Sequence, residues 1–229
     1  MFARPQRPFA SLFLCLLAAI VVRPVLNYSP IGRAAFAAGM VLFFIVAIWI
    51  LCRNRRQWWT AVSLGLLWLG ARLPSLINPG VPIELVGRVA EIAFLTYTVT
   101  LLVTAIFQKR TVTLDNILGA FAGYLLIALI WGIAYSLVEI ADPGAFRVDA
   151  ALKAEWSSPA ERDWVLNYFS CCTLMTVGYG DITPVHAAAR TLAVLEAMSG
   201  QLYLAVLVAV LVGTKVAHDL FPRNTDDSA

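Results

Sequence analysis

Residues 173–184 read TLMTVGYGDITP, a glycine-interrupted turn set between apolar segments. A cation leaving water must exchange its hydration shell for other oxygens. Thr176, Val177, Gly178 and Tyr179 offer four successive backbone carbonyls, and Thr176 adds a hydroxyl. Pointing such carbonyls the same way requires backbone angles that alternate in hand. Gly178 and Gly180 adopt the unusual angles at little steric cost. Val177 and Tyr179 then face outward as braces. One chain supplies one oxygen per level while a ring needs about four, so the geometry implies a homotetramer around an axis. Asp181 follows at the mouth, where a ring of carboxylates concentrates cations. Pro184 prevents the exit from continuing as a helix.

The surroundings are lipid-compatible. Of 229 residues, 60% are hydrophobic and 14% charged, against about half apolar and a quarter charged in soluble domains. The apolar residues fall in blocks near the length of about 20 that crosses a bilayer core. Six spans are expected, at 9–22, 34–52, 58–73, 82–107, 117–140 and 191–216. Residues 164–175, too short to cross, read as a re-entrant helix leading into the turn. The expected fold is an all-α membrane protein with six transmembrane helices plus a re-entrant pore helix and filter loop. It divides into a four-span region at 1–110, a pore module at 111–217 and a short tail at 218–229.

Positive charge sets the orientation. Arg4 and Arg7, Arg53 to Arg56, Lys109 with Arg110, and Lys215 with Arg223 fall on one face of a six-span chain. This makes both termini cytoplasmic and opens the turn outward. Arg23, Arg33 and Arg72 dissent, as snorkelling residues at an interface do. The first block also fits a signal peptide in its charge and apolar run, although no small-x-small cleavage site follows. Cys15, Cys52, Cys171 and Cys172 lack metal-ligand spacing and read as small packing residues. Trp58 and Trp59, beside the arginines, fit an interfacial belt. No basic run points to nucleic acid. His186 and His218 stand far apart with no nucleophile beside them, which argues against an enzyme, and no cofactor is expected.

The phrase TLMTVGYGD resembles the selectivity-filter signature of potassium channels. The resemblance extends over roughly residues 118–216 as outer helix, pore helix, filter and inner helix. It implies K+ as the permeant ion, held at Thr176, Val177, Gly178 and Tyr179, with Gly180 and Asp181 supporting the filter. It also implies a hinge at Gly200 and favours the plasma membrane, a bacterial inner membrane in particular; on the same last span Gln201, Leu204 and Val208 are candidates for lining a cavity. EAMSGQLYLAVLVAVLVG looks like the inner helix of small bacterial pore-module channels. Four positions depart from the pattern. Met175 stands where many members have a second Thr. Cys172 replaces a Glu behind the filter. Tyr168 and Phe169 replace two Trp. Tyr168 is expected to donate to Asp181, whereas Phe169 has no donor for Tyr179. Thr173 is a further support near the filter and a potential partner for Glu196, a polar residue within the last span.

A voltage sensor needs a basic residue at every third position of a helix. In PIELVGRVAEIAFLTYTVTLLVTAIF, Arg88 stands alone, with Leu85, Glu91 and Phe94 where neighbours in a sensor would be basic. Arg88 and Glu91 are placed to pair on one face. The sequence after Val216 is too short to fold alone. Gating is therefore expected at the inner helices, at the filter or through an unidentified regulatory partner. A weakly voltage-dependent channel and a membrane scaffold with a vestigial pore are the competing readings.

Overall fold

Backbone polar groups in lipid must satisfy one another, and the apolar blocks are accordingly helical. The computed structural model describes residues 8–26, 30–52, 54–77, 81–108, 113–152, 156 and 158–220. Its long helices are α1 (Pro8–Leu26), α2 (Pro30–Leu51), α3 (Arg55–Ile77), α4 (Val81–Phe107), α5 (Leu114–Ala141) and α7 (Ala187–Leu220). The shorter α6 (Pro159–Leu174) lies between the last two. Among the described residues, three helical stretches are long and apolar enough to cross a membrane: Pro82–Phe107, Leu114–Ala141 and Ala187–Val210. Pro8–Val22 is a shorter apolar helix.

Several boundaries differ from expectation for physical reasons. The first helix does not stop at Arg23-Pro24 but runs to Leu26, since proline is tolerated in apolar helices where other groups take up the freed carbonyl. The short helix expected from residue 164 starts at Pro159. Ser158 caps it by accepting from the Glu161 amide at 3.3 Å and donating to the Glu161 carboxylate at 2.7 Å. Ser-Pro-x-Glu is a capping box with proline at the first helical position, so this start was legible. The last helix continues to Leu220, past the boundary drawn at 217. Arg4, Arg7, Arg53, Lys109, Arg110 and Arg223 lie outside the described residues.

The fold is not purely helical. Strand β1 (Phe146–Val148) pairs antiparallel with β2 (Ile182–Pro184), with Arg147 opposite Thr183. The Asp149 amide donates to the Asp181 carbonyl at 2.9 Å. The segment after the turn is therefore stitched to the segment before α6. Three-residue strands carry little sequence signal, which is why composition alone did not find this ribbon.

One apolar core joins the front of the chain to the back. Phe9, Leu16, Phe44, Phe94 and Leu126 belong to a single buried cluster, so helices on either side of residue 110 share their packing. Phe44 meets Phe94 edge-on at 5.0 Å and Trp68 at 5.7 Å. Trp58 and Trp59 are exposed, as a belt requires, and contact each other edge-on at 5.0 Å.

Asp115 fixes the direction of α1 against α5. Its buried carboxylate accepts from the amides of Phe9 at 3.1 Å and Ala10 at 2.9 Å, taking two of the four amides that a helix start leaves unpaired. Phe13 packs on Phe121 further along, so the two helices run parallel and begin on the same side. Asp115→Ala should lower stability by about 0.5–2 kcal/mol. The measurement is the denaturant midpoint of purified protein in detergent. An unchanged midpoint would mean that the cap carries no energy.

Candidate functional site

The turn follows directly from the C-terminus of α6, and that helix end is fully engaged. The last four carbonyls of a helix have no partner within it. Here Cys171 accepts from the Met175 amide at 3.0 Å, Cys172 from Val177 at 2.8 Å and Thr173 from Thr176 at 3.0 Å. Leu174 accepts from the Tyr124 hydroxyl at 2.8 Å. The first residues of the turn are thus folded back onto the helix that carries them.

Beyond that point the backbone alternates in hand. Positive φ occurs at Thr176 (58°), Gly178 (61°) and Gly180 (82°), with Val177 and Tyr179 between them. The two glycines were expected there. Thr176 was not, and it is the only non-glycine residue with positive φ among the described residues. A β-branched residue in that region is a genuine outlier, and such strain concentrates at functional sites. Thr176, Val177, Gly178, Tyr179 and Gly180 are all exposed in the single chain, Tyr179 to 71%.

The supports are mixed. Tyr168 donates to Asp181 at 2.8 Å, as expected. The other Asp181 oxygen accepts from the Ile182 amide at 3.1 Å. Phe169 packs among aromatic rings. It is buried against Tyr135 at 5.1 Å and Phe146 at 5.5 Å, in an outer aromatic cluster that includes Ile182 of β2.

Glu196 is the principal residue whose partners the sequence did not supply. It lies on α7 with no exposed surface and accepts hydrogen bonds from Tyr135 on α5 and Ser170 on α6. Ser170 also lies 2.7 Å from the Ala128 carbonyl. The expectation that Glu196 meets the pore helix was correct in kind, but the partner is Ser170 rather than Thr173. Ser170 stands one helical turn before Thr173 and faces α5. Close by, Trp131 donates to Ser199 at 3.1 Å and Ser199 to the Glu196 carbonyl at 2.8 Å.

The inner-helix residues separate. At Gly200 an added Cβ would lie 2.8 Å from the Leu174 side chain and 2.9 Å from its carbonyl. This glycine is where α7 presses on the end of α6, and α7 is unbroken there. Gln201 and Val208 are exposed, whereas Leu204 is partly buried beside Tyr124 and Leu174. Tyr203, not singled out from sequence, donates to the Ala120 carbonyl at 2.7 Å and ties α7 to α5.

Arg88 also gains partners. Glu91 at 3.6 Å and Glu84 at 3.8 Å flank it on α4. Its direct contact, however, is with Asp163 near the start of α6. Asp163 in turn accepts from Ser136 on α5 at 2.8 Å.

A known family matches this part of the chain. Residues 160–215 match a family model described as an ion channel. The match spans α6, the turn and most of α7, and with the apolar helices it supports a membrane-embedded ion channel. No curated protein and no solved structure matches the chain significantly.

Glu196→Leu should leave the Tyr135 hydroxyl buried without an acceptor, at a cost of about 1–3 kcal/mol. Thermal unfolding of the purified channel in detergent reads this. A midpoint equal to wild type would show that the three-helix knot is energetically silent.

Proposed function

We propose that the protein is a homotetrameric, potassium-selective channel that conducts K+ passively and has no intrinsic voltage sensing. The observation that carries this reading is the alternation of hand at Thr176, Gly178 and Gly180, immediately after a helix whose last carbonyls are already engaged. Alternating residues of opposite hand turn successive carbonyls to one side, which is the geometry an oxygen-lined conduit for a dehydrated cation needs. The carbonyls of Thr176, Val177, Gly178 and Tyr179 are the proposed ion ligands. Gly180, Asp181, Tyr168, Phe169 and Thr173 form the supporting shell. K+ is the transported substrate, and the reading requires no cofactor.

The tetramer is supported by what one chain leaves uncovered. Val177 and Tyr179 are exposed, although bulky residues beside such a conduit need packing partners. Neighbouring copies would supply them. In this arrangement α6 is the re-entrant pore helix, and α1, α2, α3, α4, α5 and α7 make six crossings. Gln201, Leu204 and Val208 are the proposed cavity lining. Gly200 serves as a hinge only if α7 can leave its contact with Leu174. The common starting side of α1 and α5 accords with cytoplasmic termini, and the basic flanks accord with a plasma membrane, such as a bacterial inner membrane. The lone Arg88, held by carboxylates, favours a channel without a sensor over a weakly voltage-dependent one. Loss of barium-blocked K+ flux on changing Gly178 discriminates against the scaffold with a vestigial pore. A regulatory partner remains compatible with the exposed helices.

Reversal potential in proteoliposomes with opposed K+ and Na+ gradients tests the proposal. The expected value follows the K+ gradient, with little dependence of open probability on voltage. Gly178→Ala places a side chain at positive φ, at a cost of about 1–2 kcal/mol, and should abolish barium-sensitive K+ flux while leaving the protein folded. A reversal potential that ignores K+, or wild-type flux in Gly178→Ala, would reject the assignment. Steep voltage dependence would reject the sensor-free part alone.

A further inference from the structure

We propose that Arg88 is a positioning residue for the pore helix, and that α4 acts through it as a stay that keeps the filter in its conducting form. The inference rests on the channel reading above and gives the helix in the sensor position a different task.

An isolated guanidinium at membrane depth is costly, so such residues face protein and are paired. Arg88 is buried, at 5% exposure. Glu84 and Glu91, one turn away on either side of its own helix, would already balance its charge. Yet the closest contact reaches 75 positions along the chain to Asp163. The two local glutamates stand at 3.8 and 3.6 Å, flanking the guanidinium, while Asp163 takes the direct hydrogen bond. The other Asp163 oxygen is held by Ser136 at 2.8 Å. One carboxylate thereby joins α4, α5 and α6.

Its location gives the junction leverage. Asp163 lies near the start of α6, and the turn begins after its end at Leu174. The Asp163 carbonyl accepts from the Asn167 amide group at 2.7 Å, which continues the contact along the helix. The far end is seated independently by Tyr124 and Gly200, and the middle by Glu196 and Ser170. Of these attachments, only the Arg88 contact comes from the first four helices. A displacement of α4 would therefore reach the filter through the outer end of α6 as a tilt of a short rigid rod. A sensor would need charges free to move through the field; Arg88 is anchored.

The test is single-channel and macroscopic recording of reconstituted tetramers in a K+ gradient. Arg88→Gln and Asp163→Asn should each speed current decay at constant voltage by about three- to tenfold, with an unchanged K+/Na+ reversal potential. The double variant should decay no faster than either single one, because both remove the same interaction. Arg88→Lys, which keeps the charge, should fall between Arg88→Gln and wild type. Wild-type decay in Arg88→Gln, or effects that multiply in the double variant, would overturn the proposal. If Arg88→Gln fails to assemble, Asp163→Asn reads the same interaction and leaves Arg88 its two glutamates on α4. Wild-type decay in Asp163→Asn would overturn the stay. Absence of K+ flux from the wild-type protein defeats the channel reading and this inference with it. Normal wild-type flux with unaltered variants defeats this inference alone.

Discussion

A helix of 16 residues embedded among longer ones poses a problem of attachment. It cannot span, so it cannot be held by water at both ends, and burial of its polar groups must be compensated inside the protein. The Glu196 carboxylate meets that requirement at the midpoint, where Tyr135 and Ser170 both donate to it. The three residues belong to α5, α6 and α7, so this single acceptor fixes the short helix between two long ones. Removing either donor leaves a buried oxygen less well satisfied, while removing the acid takes the acceptor from Tyr135 and leaves Ser170 the Ala128 carbonyl. The outer aromatic cluster of Tyr135, Phe146 and Phe169 is organised around the same tyrosine. Packing and hydrogen bonding are thus coupled through one ring.

The inner end is secured on different principles. There a close helix contact at Gly200 and a hydroxyl from Tyr124 seat the last residue of α6, and the turn folds back to occupy the remaining carbonyls. The backbone strain at Thr176 sits where these constraints converge. A strained φ persists only where surrounding structure over-determines it, and here the Thr176 amide is bound to Thr173 while the adjacent Val177 amide is bound to Cys172.

The turn itself was legible because its chemistry is local. Gly178 and Gly180 announce unusual angles, and the charge-poor blocks announce helices. The Tyr168–Asp181 bond was also readable, since the two residues flank the turn at a short separation. The start of α6 was written in Ser158, Pro159 and Glu161 but was obscured by the polar composition around it. Long-range partners were not legible. Nothing in the neighbourhood of Arg88 points to Asp163, and Glu91 was the reasonable partner from helical spacing alone. Ser170 was hidden for a similar reason: its role depends on how α5 and α7 close around α6. The β ribbon escaped because its strands are shorter than any reliable alternation.

That ribbon has an evolutionary consequence. β1 holds the exit of the turn through main-chain pairing, and the Asp149 amide adds another main-chain bond to Asp181. Arg147, at the centre of β1, is exposed. A residue that contributes backbone to a structure and side chain to solvent is open to substitution. The charge displayed beside the turn can drift through such positions, and with it the ions that gather there, while the main-chain geometry of the turn stays constant.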